Sequence, residues 1–289
     1  MVEVDRARAE ELGLTLRRVG LEGVLRIEGM DPQLQAVRLM RDSMSFEEAS
    51  TLVVLNSLVS YKLSSRGEDY WSEFAIYMSR RRGPKNLKEA VKLMLDFLAS
   101  SRINVALRRS KVARLLKASI IRGLEPAVMP RYTRSLEELA KTIAIGLRSR
   151  LSSKTILFAV KMFSYTYRAF YERPIIAPFT LPIPVDSRVA KVSWSSGIVD
   201  VEASNWSDVV NSLLSKPSLA QRAWSIVAKA SEIPPLHLDS LIWLVGGFIG
   251  RGVDKEAAVR ETAKALARTT STTLEEAFKV SQQLIHRYL

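Results

Sequence analysis

Apolar residues recur at intervals of three and four positions along most of the chain, which is the repeat of an amphipathic α-helix. Strand-like alternation is scarce, and residues 190–194 are the one modest strand candidate, which we set aside. The pattern predicts an all-α protein. The predicted helices cover residues 45–63, 87–100, 135–147, 154–171, 207–214, 219–230, 238–248, 255–267 and 273–288. Two of them begin with a capping box, Ser45 with Glu48 and Thr273 with Glu276.

Proline and glycine interrupt the helical pattern at residues 82–85, 126–131 and 174–184. The third segment contains four prolines and is the longest non-helical connection, so we expect a boundary between two helical lobes there. One lobe would cover residues 32–173. The other would combine residues 1–31 with residues 174–289 and would end in an extension of two surface helices over residues 251–289.

Charge narrows the range of partners. The 289 residues include 43 Lys and Arg against 30 Asp and Glu, a net charge of +13. This excess favours an acidic partner, nucleic acid first and an anionic membrane surface second. A basic surface that serves solubility alone is the alternative. The chain has no cysteine, which excludes disulfides, thiolate zinc sites and a cysteine nucleophile.

Metal and membrane sites are not expected. Only two histidines are present, His237 and His286, so a histidine-rich metal site is not favoured, and we expect no cofactor. The charged N-terminus lacks an apolar signal core, and the longest apolar run, residues 241–250, is too short to span a bilayer. We therefore expect a cytoplasmic monomer. The absence of cysteine beside many charged residues is typical of thermophile proteins.

Positive charge concentrates in three clusters, for each of which a solvated helix face is the alternative interpretation. They lie at residues 80–88, 108–117 and 148–154. The third cluster differs because it occupies a short serine-rich connection between two predicted helices, an arrangement that forms a helical hairpin over residues 135–171. Ser152 or Ser153 would be the N-cap of the second helix, whose first N–H groups can bind a phosphate. Arg148 and Arg150 would add electrostatic attraction to a DNA backbone.

Lys154 lies at the N-terminal end of its predicted helix, where a cation opposes the helix macrodipole. The same field disfavours the ammonium form, and a neutral lysine amine can act as a nucleophile. Lys154, Phe158 and Lys161 follow a spacing of i, i+4 and i+7, so they share one face of an otherwise apolar helix. The alternative for Lys154 is an ordinary surface residue. The alternative for Lys161 is a side chain whose methylene groups pack against the protein while its amine reaches solvent.

A single carboxylate, Asp186, follows two closely spaced prolines. Proline fixes φ and cannot donate a backbone hydrogen bond, so Pro182 and Pro184 predict a stiff, extended approach. Asp186 then meets the start of a helix, where the macrodipole stabilises a carboxylate. The residues alone predict a rigidly held N-cap aspartate.

Five segments, in this order, resemble the archaeal 8-oxoguanine DNA glycosylase/lyase family, a branch of the helix-hairpin-helix DNA glycosylases. They read DPQLQAVRLM, LNSLVSYKLSSRGEDYW, SSKTILFAVKMFSYTYRAF, PFTLPIPVDSRVAKVSW and IPPLHLDSLIWLVG. The similarity spans residues 15–250 and leaves the tail beyond Arg251 outside it. In the wider superfamily the hairpin carries a glycine-rich turn, whereas the corresponding segment here, GLRSRLSS, has no glycine in the turn itself.

The resemblance implies a two-lobed helix-hairpin-helix fold with the active site in the cleft between the lobes. It implies a DNA repair enzyme for base excision that flips out 8-oxoguanine, excises it through a lysine Schiff base and cleaves the strand by β-elimination. Matching motif positions assign the nucleophile to Lys154 and the second catalytic residue to Asp186. The implied base-binding residues are Gln33, Ser60, Trp71, Phe158, Lys161, Pro184, Asp239 and Trp243.

These residue types suit a flipped base. Aromatic rings offer stacking faces, and the polar side chains among them offer donors and acceptors for the edge of the base. Core packing is the alternative for Trp71 and Trp243, and a simple N-cap is the alternative for Asp186. Two other functions stay open: a glycosylase for thymine glycol, uracil or alkylated purines, and a non-catalytic helix-hairpin-helix DNA-binding protein.

Overall fold

The computed structural model describes residues 3–250 and 252–289; residues 1 and 2 of the charged N-terminus, and residue 251 at the expected start of the extension, lie outside this range. The all-α prediction is confirmed: within the described residues, the strands β1 (Glu3–Val4) and β2 (Val199–Asp200) form one short antiparallel pair, and helices make up most of the rest. The α-helices are α1 (Arg6–Leu16), α2 (Gly20–Gly29), α3 (Pro32–Arg38), α4 (Phe46–Val59), α5 (Gly67–Ser79), α6 (Leu87–Ser100), α7 (Arg108–Ala118), α8 (Leu136–Gly146), α9 (Lys154–Tyr171), α10 (Ser187–Ser195), α11 (Trp206–Ser215), α12 (Pro217–Ser231), α13 (Pro235–Gly246), α14 (Lys255–Thr269) and α15 (Leu274–Leu284). Short 3-10 helices cover Arg122–Leu124 and Pro126–Thr133.

Local capping chemistry sets several helix boundaries. The helices α6 and α9 have the predicted bounds, and both predicted capping boxes form at the starts of α4 and α15. The predicted extensions past Val59 and Leu284 are wrong, since α4 and α15 end at those residues. The segment that resembled a strand, residues 190–194, lies inside α10.

The chain divides into two compact units. We call them the terminal unit, Met1–Met30 with Ala177–Leu289, and the central unit, Asp31–Ile176. The terminal unit is built from both ends of the chain, whereas the central unit is one uninterrupted stretch.

In the terminal unit, α1 packs along α12 at a close approach. A Cβ added to Gly13 would lie 2.5 Å from the Ala230 Cβ and 2.7 Å from the Val227 carbonyl oxygen, so only glycine fits there. The C-terminal helices are integral to the same core, because α14 and α15 bury Leu266 and Leu284 in it completely.

In the central unit, α4 packs against α9. Nearly every side chain of α4 is buried, which is the behaviour of a helix that is apolar on all sides. The helices α3 and α8 also pack on α9, and α5 packs on α3. The helix that begins with Lys154 is therefore supported from several directions within this unit.

Candidate active site

Lys154 is the first residue of α9, and its side chain is exposed. Ser153, rather than Ser152, is the N-cap, and its side chain makes no capping hydrogen bond. The Ser153 hydroxyl lies 3.1 Å from the hydroxyl of Ser149 instead. Lys154 therefore begins a helix whose first-turn N–H groups are not capped by the N-cap side chain.

The turn that leads to Lys154 closes α8 with a Schellman motif. The Arg148 N–H donates to the Ile145 carbonyl at 3.0 Å, and the Ser149 N–H donates to the Ala144 carbonyl at 2.9 Å. Arg148 occupies the left-handed position of this motif with φ of 50°, where glycine is the usual residue. This accounts for a turn without glycine. Arg148 and Arg150 are exposed, whereas Ser152 is half-buried.

Asp186 is the N-cap of α10, as the sequence predicts. Its Oδ1 accepts the backbone N–H groups of Arg188 at 2.9 Å and Val189 at 3.0 Å. Pro184 is buried, and so are Ile183 and Val185 on either side of it, so the approach to the carboxylate is anchored in the core. Asp186 itself is half-buried.

The central unit brings Trp71 and Phe158 together. Their ring centroids are 6.0 Å apart at an interplanar angle of 72°, an edge-to-face contact between α5 and α9. Trp71 is 1% exposed and is packed as a core residue, whereas Phe158 is half-buried. Ser60 is the C-cap of α4, and its hydroxyl donates to the Asn56 carbonyl at 2.7 Å.

Gln33 and Lys161 are joined through two residues that the sequence did not single out, Asp31 and Tyr165. The Asp31 carboxylate caps α3 by accepting the Gln33 N–H at 2.9 Å, and it also accepts the Tyr165 phenol at 3.0 Å. The Lys161 amine lies 5.3 Å from the centroid of the Tyr165 ring. Lys161 is 3% exposed, so the alternative in which its amine reaches solvent is wrong. Asp31 lies two positions before the motif residue Gln33 in the segment DPQ, which is the one signal that pointed to it.

In the terminal unit, α13 carries Asp239, which is buried, and Trp243, which is half-buried. The Arg188 guanidinium stacks over the Trp243 ring at 3.9 Å from the centroid and donates to the Trp243 carbonyl at 3.2 Å. The Arg188 backbone is also one of the donors to Asp186. Arg188 therefore links the helix-capping Asp186 to Trp243, and nothing in the sequence around Arg188 indicated this.

His237, also on α13, is buried and bridges two parts of the terminal unit. Its Nδ1 lies 2.8 Å from the Glu28 carboxylate, and its Nε2 accepts the Ala177 N–H at 3.0 Å. Because Nε2 accepts a hydrogen bond, the ring proton lies on Nδ1 and points to Glu28. This pair fixes the first residue of the segment that runs to Asp186.

The candidate residues are distributed over both units. Lys154, Gln33, Ser60, Trp71, Phe158 and Lys161 belong to the central unit, and Pro184, Asp186, Asp239 and Trp243 belong to the terminal unit. Over residues 3–250 and 252–289, no cluster of three or more His, Asp or Glu side chains is placed to hold a metal ion. None of the helices described is long and apolar enough to cross a membrane.

Comparison with known proteins shows that most of the chain matches one family. Residues 13–279 match the AGOG family of N-glycosylase/DNA lyases. An N-glycosylase/DNA lyase of Methanopyrus kandleri is 36% identical over 231 residues, which cover 79% of this chain and 86% of the relative. The Pyrobaculum aerophilum enzyme is 32% identical over 252 residues, covering 86% and 89%, and the Aeropyrum pernix enzyme is 30% identical over 292 residues, covering 97% and 96%.

The fold has a counterpart in a solved structure. It is similar to the crystal structure of Pa-AGOG, an 8-oxoguanine DNA glycosylase from Pyrobaculum aerophilum complexed with 8-oxoguanosine, with a TM-score of 0.76, 27% identity and coverage of 96% and 97% of the two chains. The family match extends to residue 279, so the expectation that the similarity stops near residue 250 is wrong, and α14 and part of α15 lie within it. On this match, the chain belongs to the AGOG family of N-glycosylase/DNA lyases.

Proposed function

We propose that the protein is a bifunctional DNA glycosylase/AP lyase that excises 8-oxoguanine and then cleaves the DNA strand. One observation carries the proposal: Lys154, an exposed residue, opens α9 in the motif where the family has its nucleophile. The solved relative that binds 8-oxoguanosine supports the choice of lesion.

Lys154 acts as the amine nucleophile in this proposal. The neutral amine attacks C1′ of the damaged nucleotide, and the glycosidic bond breaks as the base leaves with its bonding electrons and takes up a proton. The lysine nitrogen then loses a proton and the C1′–O4′ bond of the sugar opens, with O4′ taking up a proton, which gives an imine. The imine makes the 2′ hydrogen acidic. Its loss expels the 3′ phosphate by β-elimination, which nicks the strand.

Asp186 stabilises the positive charge that develops on the sugar as the glycosidic bond breaks, and it helps to remove a proton from Lys154. A carboxylate held by two backbone N–H groups at a helix start suits this role, because its position needs no rearrangement during the reaction. The N-cap interpretation and the catalytic one hold together.

Base recognition is assigned to the remaining candidates. Phe158 and Trp243 are partly exposed and offer stacking faces, while the buried Trp71 supports the Phe158 ring edge-on. Gln33, Ser60 and Asp239 supply polar contacts to the base edge, and Lys161 and Pro184 line the pocket. 8-Oxoguanine differs from guanine at N7–H and at the C8 carbonyl, so an acceptor directed at N7–H would be left unpaired by guanine and would reject it.

The hairpin turn is proposed to hold the DNA backbone. Arg148 and Arg150 are exposed there, and the N-terminus of α9 beside Ser152 and Ser153 favours an anion.

Borohydride trapping on a duplex containing 8-oxoguanine tests the nucleophile. The wild-type protein is expected to form a covalent adduct, which Lys154→Gln abolishes. Lys161→Gln is the matched variant, since it makes the same change about two turns further along the same face of α9, and it should still form the adduct. Normal trapping by Lys154→Gln, with loss in Lys161→Gln, would reassign the nucleophile to Lys161.

Asp186→Asn tests the carboxylate without removing the cap, because asparagine caps a helix about as well as aspartate. We expect base release to slow by about 10²–10³-fold while DNA binding changes little. A large loss of binding instead would indicate a structural role for Asp186. A panel of oligonucleotides with thymine glycol, uracil and alkylated purines distinguishes the lesion, and salt-sensitive binding without any adduct would identify a non-catalytic binder.

A further inference from the structure

The basic helix α7 adjoins the hairpin and has no role in the proposed reaction. The helix carries five cationic side chains and no carboxylate: Arg108, Arg109, Lys111, Arg114 and Lys117. Beside it lies a cavity of about 340 Å³. The lining residues are Tyr61, Ser110, Ala113, Arg114, Lys117 and Leu147.

Arg114 is the central group of this cavity. One guanidinium nitrogen, Nη2, donates to the Thr155 hydroxyl at 2.7 Å, while Nε is buried and has no hydrogen-bond partner in the part of the chain that the structure describes. Burial lowers the pKa of the guanidinium; Tyr61 acts in the opposite direction, and no carboxylate does. A desolvated cation without a counter-charge is costly, so an anion that entered the cavity would be stabilised.

The cavity adjoins the candidate site at three points in the central unit. Thr155, which receives the Arg114 hydrogen bond, follows the nucleophile candidate Lys154 directly. Leu147 immediately precedes Arg148 of the hairpin turn, and Tyr61 follows Ser60. A group bound in this cavity would therefore lie beside the hairpin rather than at a remote surface.

We propose that this cavity binds a phosphodiester group of the DNA, as a second backbone site next to the hairpin turn. Arginine presents a planar fork of donors that matches a phosphate, and lysine adds a point charge. Ser110 and the Arg114 guanidinium supply hydrogen-bond donors, and the volume exceeds that of a phosphate group. The proposal rests on the proposed function in taking DNA as the ligand, and it adds a contact outside the hairpin.

Salt-dependent binding to an undamaged duplex tests the site without using catalysis. Lys117→Gln removes a cation at an exposed position of the cavity. Ser110→Glu adds a carboxylate there, at the third position of α7, where an acidic residue favours the helix and folding is therefore preserved. Lys92→Gln on α6 is the matched control, because it is exposed, lies outside the cavity and changes the net charge by the same amount.

Each phosphate contact contributes a slope of about −0.9 to log K against log salt concentration. Lys117→Gln and Ser110→Glu should each reduce the magnitude of the slope by about one and weaken binding roughly eightfold at 0.1 M salt, an effect that vanishes towards 1 M. The Lys92→Gln slope should match wild type. If Lys117→Gln and Ser110→Glu show the same salt slope as Lys92→Gln, the cavity holds no phosphate and the proposal is overturned.

The same proteins separate this proposal from the proposed function. If both cavity variants change the salt slope while the wild-type protein forms no borohydride adduct, the phosphate site is upheld and the glycosylase/lyase assignment is refuted. An adduct in the wild-type protein together with unchanged slopes in both cavity variants would do the reverse.

Discussion

The phenol of Tyr165 donates a hydrogen bond of 3.0 Å to the carboxylate of Asp31, and that carboxylate also holds the N–H of Gln33. Helix α9 is thereby tied to the start of α3 inside the central unit. The same tyrosine ring faces the buried Lys161 amine. The positions of Gln33 and Lys161, two of the proposed base-binding residues, thus depend on the Asp31–Tyr165 pair. Neither member of that pair is proposed to contact the base.

Removing the phenol tests this dependence. Tyr165→Phe leaves a buried carboxylate with one donor fewer, which should lower the free energy of unfolding by about 1–3 kcal/mol and reduce 8-oxoguanine excision. Tyr167→Phe is the control, since its hydroxyl makes no hydrogen bond to the described residues. Chemical denaturation and single-turnover excision give both readouts. Equal behaviour of the two variants would show that the Asp31 contact does not position Gln33.

The buried side chains of His237 and Glu28 are expected to be energetically coupled. His237→Phe keeps an aromatic ring but removes the partner of Glu28 and of the Ala177 N–H, so we expect a loss of about 1–3 kcal/mol in the free energy of unfolding. Adding Glu28→Leu should recover part of this loss, because the carboxylate is then no longer buried against an apolar ring. Additive losses in the double variant, measured by urea denaturation, would contradict a direct interaction.

Lys111 should make the free energy of unfolding depend on pH in the alkaline range. It is fully buried, its amine donates to Asn104, and burial lowers its pKa from 10.5, with Arg108 acting in the same direction. The unfolded chain therefore binds this proton more tightly than the folded chain does. The free energy of unfolding must rise as pH increases through the folded pKa towards 10.5.

Comparison with Lys111→Met isolates this effect. The stability of the wild-type protein relative to the variant should increase as pH is raised from neutral towards 10.5, measured by denaturant unfolding at each pH. Burial raises the pKa of nearby Tyr70, but that residue is present in both proteins and its contribution cancels. A difference that stays constant with pH would show that Lys111 is not desolvated in the folded state.

The C-terminal helices should be necessary for stability. Leu284 is fully buried in the core of the terminal unit, whereas Leu274 on the same helix is 59% exposed. Leu284→Ala is expected to cost about 2–5 kcal/mol, and Leu274→Ala less than about 0.5 kcal/mol. Thermal unfolding of the two variants checks this, and equal midpoints would mean that α15 is only loosely attached.

The sequence predicted the parts of the fold that local chemistry determines. The helix α9 could be predicted to the residue because its apolar face is continuous and an N-cap serine precedes it, and both capping boxes formed where their side chains allowed. The start of α10 at Asp186 could also be predicted, but its extent could not, because valines at positions 189 and 192 leave a short, ambiguous pattern that packing against α13 decides.

The candidate site shows the same limit. The cap at Asp186 follows from neighbouring residues and could be predicted, whereas the Arg188 stack on Trp243 joins residues far apart in the chain. The Schellman turn at Arg148 was hidden because a non-glycine residue takes the left-handed position. Contacts of this kind depend on the assembled fold, and no spacing in the sequence indicates them.

The division of the chain also has a consequence for its synthesis. The central unit is complete once residue 176 has left the ribosome, and domains of this kind fold as units during translation. Helix α1 is made before the central unit, yet its packing partner α12 is made after it. Helix α1 therefore stays without its main packing partner until the central unit has been made, and the close approach at Gly13 forms only after that.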